Sequence, residues 1–237
     1  MAEEGVVNSQ VLSAIRGALR ERADPVRGAG AQAYMKSALP CLGVRVPEVR
    51  RIAAAAAADS PFTSAVQLRG TVLELWRNAT AREERYAAID LTADPLAAGD
   101  MLMLPVYEEM IRSGAWWDVV DPVTTRLCGL LQANRAEMSA MLLGWGTDPD
   151  FWMRRAAILS QLKAKAATDS GLLARILETN MADREFFIRK AIGWALREYS
   201  KTAPEWVAAF VAEHAATLSP LSRREALRRL AVPTPGI

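Results

Sequence analysis

Apolar residues recur at spacings of three and four positions along almost the whole chain. This period places them on one face of an α-helix, and no segment has the alternation typical of a half-buried strand. Short turn signals such as RADP, TADP, GTDPD and TLSP interrupt the pattern. The pattern therefore predicts an all-α protein, with helices near residues 8–22, 29–38, 46–58, 63–78, 81–91, 98–112, 117–132, 134–144, 149–166, 169–179, 183–200, 204–216 and 220–230.

A repeat of about 35 residues is superimposed on these helices. The segment FWMRRAAILSQLKAKA, which begins at Phe151, aligns with FFIRKAIGWALREYSK, which begins 35 residues later at Phe186. Paired helices that repeat at this length indicate stacked helix hairpins of the HEAT or tetratricopeptide kind. We therefore expect one helical-repeat solenoid domain over residues 1–237, with flexible tails at 1–7 and 232–237.

Equivalent positions of such a repeat lie in a row on one surface. One set of equivalent positions in successive repeats consists of Tyr86, Asp121, Arg155 and Lys190. These are a phenol, a carboxylate, a guanidinium and an ammonium group, where a stripe facing the core would be apolar. The phase therefore predicts a polar row on one side of the solenoid.

Composition excludes several kinds of catalytic site. The chain has two cysteines without metal-ligand spacing and one histidine, His214. These numbers exclude zinc centres, disulfide frameworks and histidine-based triads, apart from one built on His214. No apolar run is long enough to cross a membrane, and MAEEGVVNSQ lacks the features of a signal peptide. We expect a cytoplasmic protein that needs no cofactor and no metal.

Charge is unevenly distributed along the chain. Up to residue 149 there are 15 basic and 18 acidic residues, whereas from residue 150 onwards there are 14 basic and 9 acidic residues. The basic C-terminal part is compatible with a polyanionic partner. The excess of arginine over lysine is equally compatible with the base composition of a genome.

The segment WWDVVD combines aromatic and acidic residues. Trp117 and Asp121 are four positions apart and share one face if a helix includes both. Trp194 falls near the same phase two repeats later, between Lys190 and Arg197. Because indole faces and carboxylates both attract cations, this set suits a positively charged group or a cationic transition state.

Structural interpretations of the same residues stay open at this point. Tryptophans of a helical array belong more often to the core. Asp121 precedes Pro122, so it is also a candidate N-cap for a helix with proline at its first position. A residue before proline also avoids the α region, which weakens the shared face. Arg154 and Arg155 are equally typical of a solvated helix face.

Several motifs occur together in an order that resembles a known family. AYMKSALPCLGVRVPEVR, WWDVVD, FWMRRAAILSQLK, FFIRKAIGWALREYSKTAPEWV and PLSRREAL resemble the AlkD-like DNA alkylation-repair glycosylases, over about Ala31 to Leu230. The resemblance implies a HEAT-like solenoid with a concave DNA-binding face. The chain departs from the family pattern at Pro122, where a small polar residue is more familiar, and at Cys41, where an aromatic residue is common.

The resemblance also assigns roles to individual residues. It implies that Asp121 is the catalytic aspartate, that Trp117 and Trp194 contact the sugar, and that Arg155 is the arginine of the same site. DNA binding is expected from a larger set, namely Arg155, Lys190, Arg197, Lys163, Tyr34 and Arg154.

The implied reaction is hydrolysis of the bond between deoxyribose and an N3- or N7-alkylated purine in duplex DNA, as part of base excision repair. The resemblance also implies a family that works without flipping the base into a pocket. Because an open site does not measure the base, bulky adducts are expected to be tolerated. We expect a monomer that binds DNA carrying alkylated purines and does not bind membranes. Two alternatives are a helical-repeat protein that binds damaged DNA without cutting it, and a peptide-binding scaffold.

Overall fold

The computed structural model describes residues 6–230, and this part of the chain contains α-helices and short 3-10 helices but no strand. The prediction of an all-α helical-repeat protein is confirmed. The thirteen helices of the described residues are α1 (Ser9–Glu21), α2 (Pro25–Met35), α3 (Val46–Asp59), α4 (Ala65–Arg77), α5 (Arg82–Leu91), α6 (Leu104–Gly114), α7 (Trp117–Ala133), α8 (Arg135–Trp145), α9 (Phe151–Leu159), α10 (Ser170–Asn180), α11 (Phe186–Tyr199), α12 (Pro204–Glu213) and α13 (Pro220–Leu227).

The turn signals of the sequence are mostly helix N-caps. The aspartate of RADP, Asp24, accepts a hydrogen bond from the Arg27 amide, and proline follows it at the first position of α2. The Asp150 side chain accepts a hydrogen bond from the Trp152 amide at the start of α9, and the Ser219 side chain accepts one from the Ser222 amide at the start of α13. Side-chain oxygens at these positions satisfy amides that a helix start leaves without partners. Local chemistry therefore explains where most helices begin.

The predicted boundaries of three helices were wrong. The helix expected over 149–166 ends at Leu159, because the Gln161 side chain binds both the amide and the carbonyl of Asp169 and turns the chain. The helix expected over 98–112 begins only at Leu104, after 3-10 turns at Pro95–Ala97 and Met101–Met103. The helix expected over 29–38 begins at Pro25 and ends at Met35.

The chain divides between Val106 and Tyr107 into two compact units. In the first unit, α3 packs against α1 and α5, and the buried carboxylate of Glu83 accepts hydrogen bonds from the amides of Leu42 and Gly43. This contact fixes the LPCLG segment on α5. The single domain expected over 1–237 stays a prediction, and the tails expected at 1–7 and 232–237 lie outside the described residues except for Val6 and Val7.

The second unit contains α7 to α13. Helix α9 packs against both α7 and α11, and α13 packs along α11. The segments that the 35-residue repeat aligns therefore lie side by side. No helix of the described residues is long and apolar enough to cross a membrane.

Candidate active site

The WWDVVD segment forms the beginning of α7. Trp116 is the N-cap residue in an extended conformation, and the helix runs without interruption from Trp117 through Pro122 to Ala133. Asp121 therefore lies inside the helix, and its interpretation as an N-cap is wrong. Trp117 and Asp121 are one turn apart on the same helix face. Pro122 removes one amide donor from the helix, while the Thr124 hydroxyl donates to the Asp121 carbonyl at 2.7 Å.

The two adjacent tryptophans have different surroundings. The Trp116 ring packs against Trp152 and Phe187, with ring centroids 5.9 and 5.6 Å away. Trp117 is half-buried and has no aromatic partner among residues 6–230. Ala115 precedes the pair with a positive φ of 39°, a conformation that disfavours an L side chain. Both indoles are half-buried, but only Trp116 packs against other rings.

Asp121 is held by a buried arginine from the neighbouring helix. Arg155 Nε and Nη2 donate to the two carboxylate oxygens of Asp121, each at 2.9 Å. The Arg155 side chain is only 4% exposed and that of Asp121 is 16% exposed. Arg155 Nη1 also donates to the Phe187 carbonyl at 2.7 Å, and the guanidinium lies 5.9 Å from the Phe187 ring centroid. One side chain thus connects α7, α9 and α11 and fixes the orientation of the carboxylate.

The charge of Asp121 follows from two opposing effects. Burial is the larger effect and raises the pKa of Asp121 above its ordinary value, although the hydrogen bonds and the charge of Arg155 lower it. Asp118 on the same helix adds a smaller rise in this pKa. Both oxygens of the carboxyl accept from a permanently charged guanidinium, which is the geometry of an ionised carboxylate. Each oxygen keeps a further lone pair, so Asp121 presents a fixed negative charge with unused acceptor capacity.

The geometry changes the interpretation of the arginine pair. Arg155 is buried, and its guanidinium binds Asp121 and the Phe187 carbonyl, so the structure favours a role in holding Asp121. Its contact with DNA stays a prediction. The Arg154 guanidinium donates to the Asp148 carbonyl at 2.7 Å and to Asp183 at 2.8 Å. Arg154 therefore joins two loops of the second unit, and its contact with DNA stays a prediction.

Helix α11 places the other expected residues around Trp194, which is half-buried. Lys190 Nζ lies 3.1 Å from Glu225 Oε1, and Arg197 pairs with the other oxygen of the same carboxylate. Lys190 and Arg197 are one turn before and one turn after Trp194 on α11. Sequence analysis missed Glu225, for which the only signal was its place in the PLSRREAL motif.

The remaining expected residues are Lys163 and Tyr34. Lys163 is exposed in the turn after α9, and its backbone amide lies beside Cys128, whose thiol pKa is raised by burial. Tyr34 belongs to the first unit, near the end of α2, and is 73% exposed. Trp194 has no ring partner among the described residues, and no hydrogen bond links it to Asp121 there. No group of three or more metal-ligating side chains occurs in the described part of the chain.

Comparison with known proteins decides the family. The model of the DNA alkylation repair enzyme family matches residues 15–230. The chain belongs to this family. Among DNA alkylation repair proteins of known structure, it resembles one described as a predicted DNA alkylation repair enzyme from Enterococcus faecalis, with 30% identity and a TM-score of 0.78 over 89% of this chain and 98% of that one. No curated protein matches the sequence.

Family membership confirms the resemblance that the motifs indicated and supports a role in the repair of alkylated DNA. The match includes α7, α9, α11 and α13, so the Asp121–Arg155 pair lies within the matched region.

Proposed function

We propose that this DNA alkylation repair protein is a DNA glycosylase that hydrolyses the N-glycosidic bond of cationic N3- and N7-alkylated purines in duplex DNA. The observation that carries the proposal is the carboxylate of Asp121, which Arg155 binds through both oxygens one helix turn from the half-buried indole of Trp117. A fixed anion beside an aromatic face is suited to a reaction that develops positive charge.

The chemistry of the substrate explains why one carboxylate and two indoles are enough to catalyse base release. An N3- or N7-alkylated purine is cationic and leaves as a neutral base. As the bond to the sugar breaks, positive charge develops on the sugar as an oxocarbenium ion. Asp121 stabilises this ion and orients the attacking water, while Trp117 and Trp194 contact the sugar and exclude bulk water. Proton transfer to the base is not required.

This mechanism predicts selectivity by charge. A neutral base such as uracil leaves as an anion unless an acid protonates it. Asp121 is ionised by its pairing with Arg155 and is unsuited to that task. The chain's one histidine, His214, follows the end of α12 and lies 3.7 Å from Glu178. The proposed enzyme therefore selects its substrates by the weak N-glycosidic bond of the cationic lesion. It works without flipping the base and tolerates bulky adducts.

Duplexes that carry one defined base each test the proposal. Under matched single-turnover conditions, we expect release of 7-methylguanine and no release of uracil or 8-oxoguanine. A duplex with a bulky N3-adenine adduct should also lose its base. Comparable release of uracil would contradict the mechanism, and no release of either alkylpurine would favour a protein that binds damaged DNA without cutting it.

The cellular setting follows from the same proposal. Release of an alkylated base leaves an abasic site, which makes the protein the first enzyme of base excision repair. We propose that it acts as a cytoplasmic monomer on chromosomal DNA.

A further inference from the structure

Residues 160–169 connect α9 to α10 and form what we call the α9–α10 loop. The side chain of Gln161 closes this loop. Its Nε2 donates to the Asp169 carbonyl at 3.0 Å, and its Oε1 accepts from the Asp169 amide at 2.8 Å. Because Gln161 is only 6% exposed, both hydrogen bonds are shielded from water. Asp169 is also the N-cap of α10 and accepts from the Leu172 amide at 2.9 Å, so the closed loop is tied to the first turn of α10.

The backbone inside the loop has a conformation that needs support from its surroundings. Lys165 has a positive φ of 52°, in the left-handed region that disfavours a residue with a side chain. Such a residue persists only where the surrounding structure imposes its conformation. The Thr168 amide donates to the Lys165 carbonyl at 3.2 Å and holds the turn locally. Gln161 adds a contact that spans the loop from its second residue to its last.

The loop also fixes the position of Lys163 relative to α7. Lys163 is exposed and forms no ion pair or side-chain hydrogen bond within residues 6–230. Its backbone amide lies beside the buried thiol of Cys128. Cys128 follows Asp121 by seven positions, so the two residues lie on the same face of α7, about 10 Å apart along the helix. The backbone of Lys163 is therefore held two helix turns along α7 from the candidate catalytic carboxylate.

We propose that Gln161 is a positioning residue, which fixes the α9–α10 loop before DNA arrives and so holds Lys163 where it meets the duplex. The inference rests on the proposed function, because it takes DNA as the partner and uses the predicted DNA contact of Lys163. A lysine on an open loop loses backbone freedom as well as side-chain freedom when it binds, whereas a lysine on a closed loop loses side-chain freedom alone. Gln161 therefore strengthens binding although it is buried and does not touch DNA.

A double-mutant cycle on binding of an unmodified duplex tests this role. Lys163→Gln should weaken binding about tenfold at 50 mM salt and reduce the slope of log affinity against log salt by about 0.9, the effect of one lost phosphate contact. Gln161→Met keeps a similar side-chain size but has neither the donor nor the acceptor for Asp169, and it should weaken binding about three- to tenfold. In the Lys163→Gln background, the same substitution should change affinity by less than about twofold, because both residues act through one contact.

Asn180→Leu is the matched control for the loss of a buried side-chain amide. Asn180 is buried and donates to the carbonyls of Gly146 and Ile176, each at 2.9 Å, in another turn of the second unit. Its variant should lower the urea midpoint of unfolding and keep the wild-type affinity for duplex. An unchanged affinity in Gln161→Met, an equal loss in Asn180→Leu, or a double variant in which the two losses multiply would overturn the positioning role. An unchanged affinity in Lys163→Gln would overturn it as well.

Hydrogen exchange of the wild-type protein provides a second test if Gln161→Met does not fold. The Asp169 amide donates to Gln161, so it should exchange slowly in the free protein and equally slowly when duplex is bound. Rapid exchange of this amide in the free protein would show that the loop is not fixed in advance and would overturn the proposal, whether or not duplex slows the exchange.

The outcome is separable from that of the proposed function. Binding of unmodified duplex and hydrogen exchange are measured without base release. A protein that releases 7-methylguanine but shows independent effects of Gln161→Met and Lys163→Gln would contradict this inference alone. A protein that shows the expected coupling but releases no alkylpurine would contradict the glycosylase proposal alone.

Discussion

Replacing Arg155 by methionine should expose how much Asp121 depends on its partner. Methionine has a similar length but no guanidinium, so the change removes both hydrogen bonds to Asp121 and the one to Phe187. Breaking a buried ion pair by removing one partner costs about 3–5 kcal/mol. For a chain of this size such a loss lowers the unfolding midpoint by on the order of 6–20 °C. The 16% exposure of the Asp121 side chain favours the lower part of this range.

The same change should make base release depend on pH. Without Arg155, burial and the charge of Asp118 both raise the pKa of Asp121 and nothing opposes them, so the carboxyl takes up a proton more readily. A protonated Asp121 no longer stabilises a cation, and the rate should fall as the pH is lowered and recover as it is raised. The stability of the Arg155→Met variant relative to wild type should depend on pH in the opposite direction. The folded variant binds this proton more tightly than the unfolded chain, so its stability deficit is largest above the folded pKa and shrinks in acid.

Single-turnover release of 7-methylguanine across a pH series, together with thermal unfolding at each pH, provides the assay. Arg155→Lys keeps a charge without the bidentate geometry and should lie between wild type and Arg155→Met. Arg154→Met removes an arginine that pairs with Asp183 and should lose stability without a change in the pH profile of base release. A loss of activity in Arg155→Met that is equal at every pH, or no loss at all, would refute the reasoning.

Three further predictions concern neighbouring residues. Trp117→Ala and Trp194→Ala should each slow the release of 7-methylguanine by up to about 30-fold, with little change in the affinity for duplex DNA. This loss is equivalent to about 2 kcal/mol, the value of a desolvated cation–π contact. Unchanged rates would show that both indoles only contribute to packing. Gly193→Ala should destabilise the protein to urea by about 1–3 kcal/mol, because its Cβ meets α13, and full wild-type stability would show that the helices separate freely. Because the pKa of Glu225 is lowered in the folded protein, its ionised form stabilises the fold at pH values above the unfolded pKa of about 4.5. This stability is lost as the pH falls through the folded pKa. Wild type and Glu225→Gln should therefore have similar stability in acid and different stability at neutral pH.

The sequence predicted the helices well because their signals are local. Apolar periodicity located all thirteen, and turn residues such as Asp24 and Ser219 act as caps through contacts with amides two or three positions away. The prediction failed for the end of α9, where the Gln161 side chain binds the backbone of a residue eight positions later. Such a contact leaves no trace in periodicity.

The site was predicted in part for a similar reason. The 35-residue phase placed Asp121 and Arg155 at equivalent positions of neighbouring repeats, but it did not show that they bind each other or that Arg155 is buried. Glu225 was missed because its role depends on the close approach of α13 to Gly193 of α11. Contacts between helices that are distant in the chain decide which charges are exposed, and the sequence pattern does not reveal these contacts.

The central claim is that the ionised carboxylate of Asp121 drives base release. The most direct measurement is the single-turnover rate of 7-methylguanine release by wild type and by Asp121→Asn, below the unfolding temperature of both proteins. We predict a rate about 10²–10³-fold lower in the variant, equivalent to roughly 2.7–4 kcal/mol of transition-state stabilisation. Asp183→Asn, which removes the carboxylate of the Arg154 pair, should keep the wild-type rate. A rate for Asp121→Asn within a few-fold of wild type, or an equal loss in Asp183→Asn, would contradict the claim.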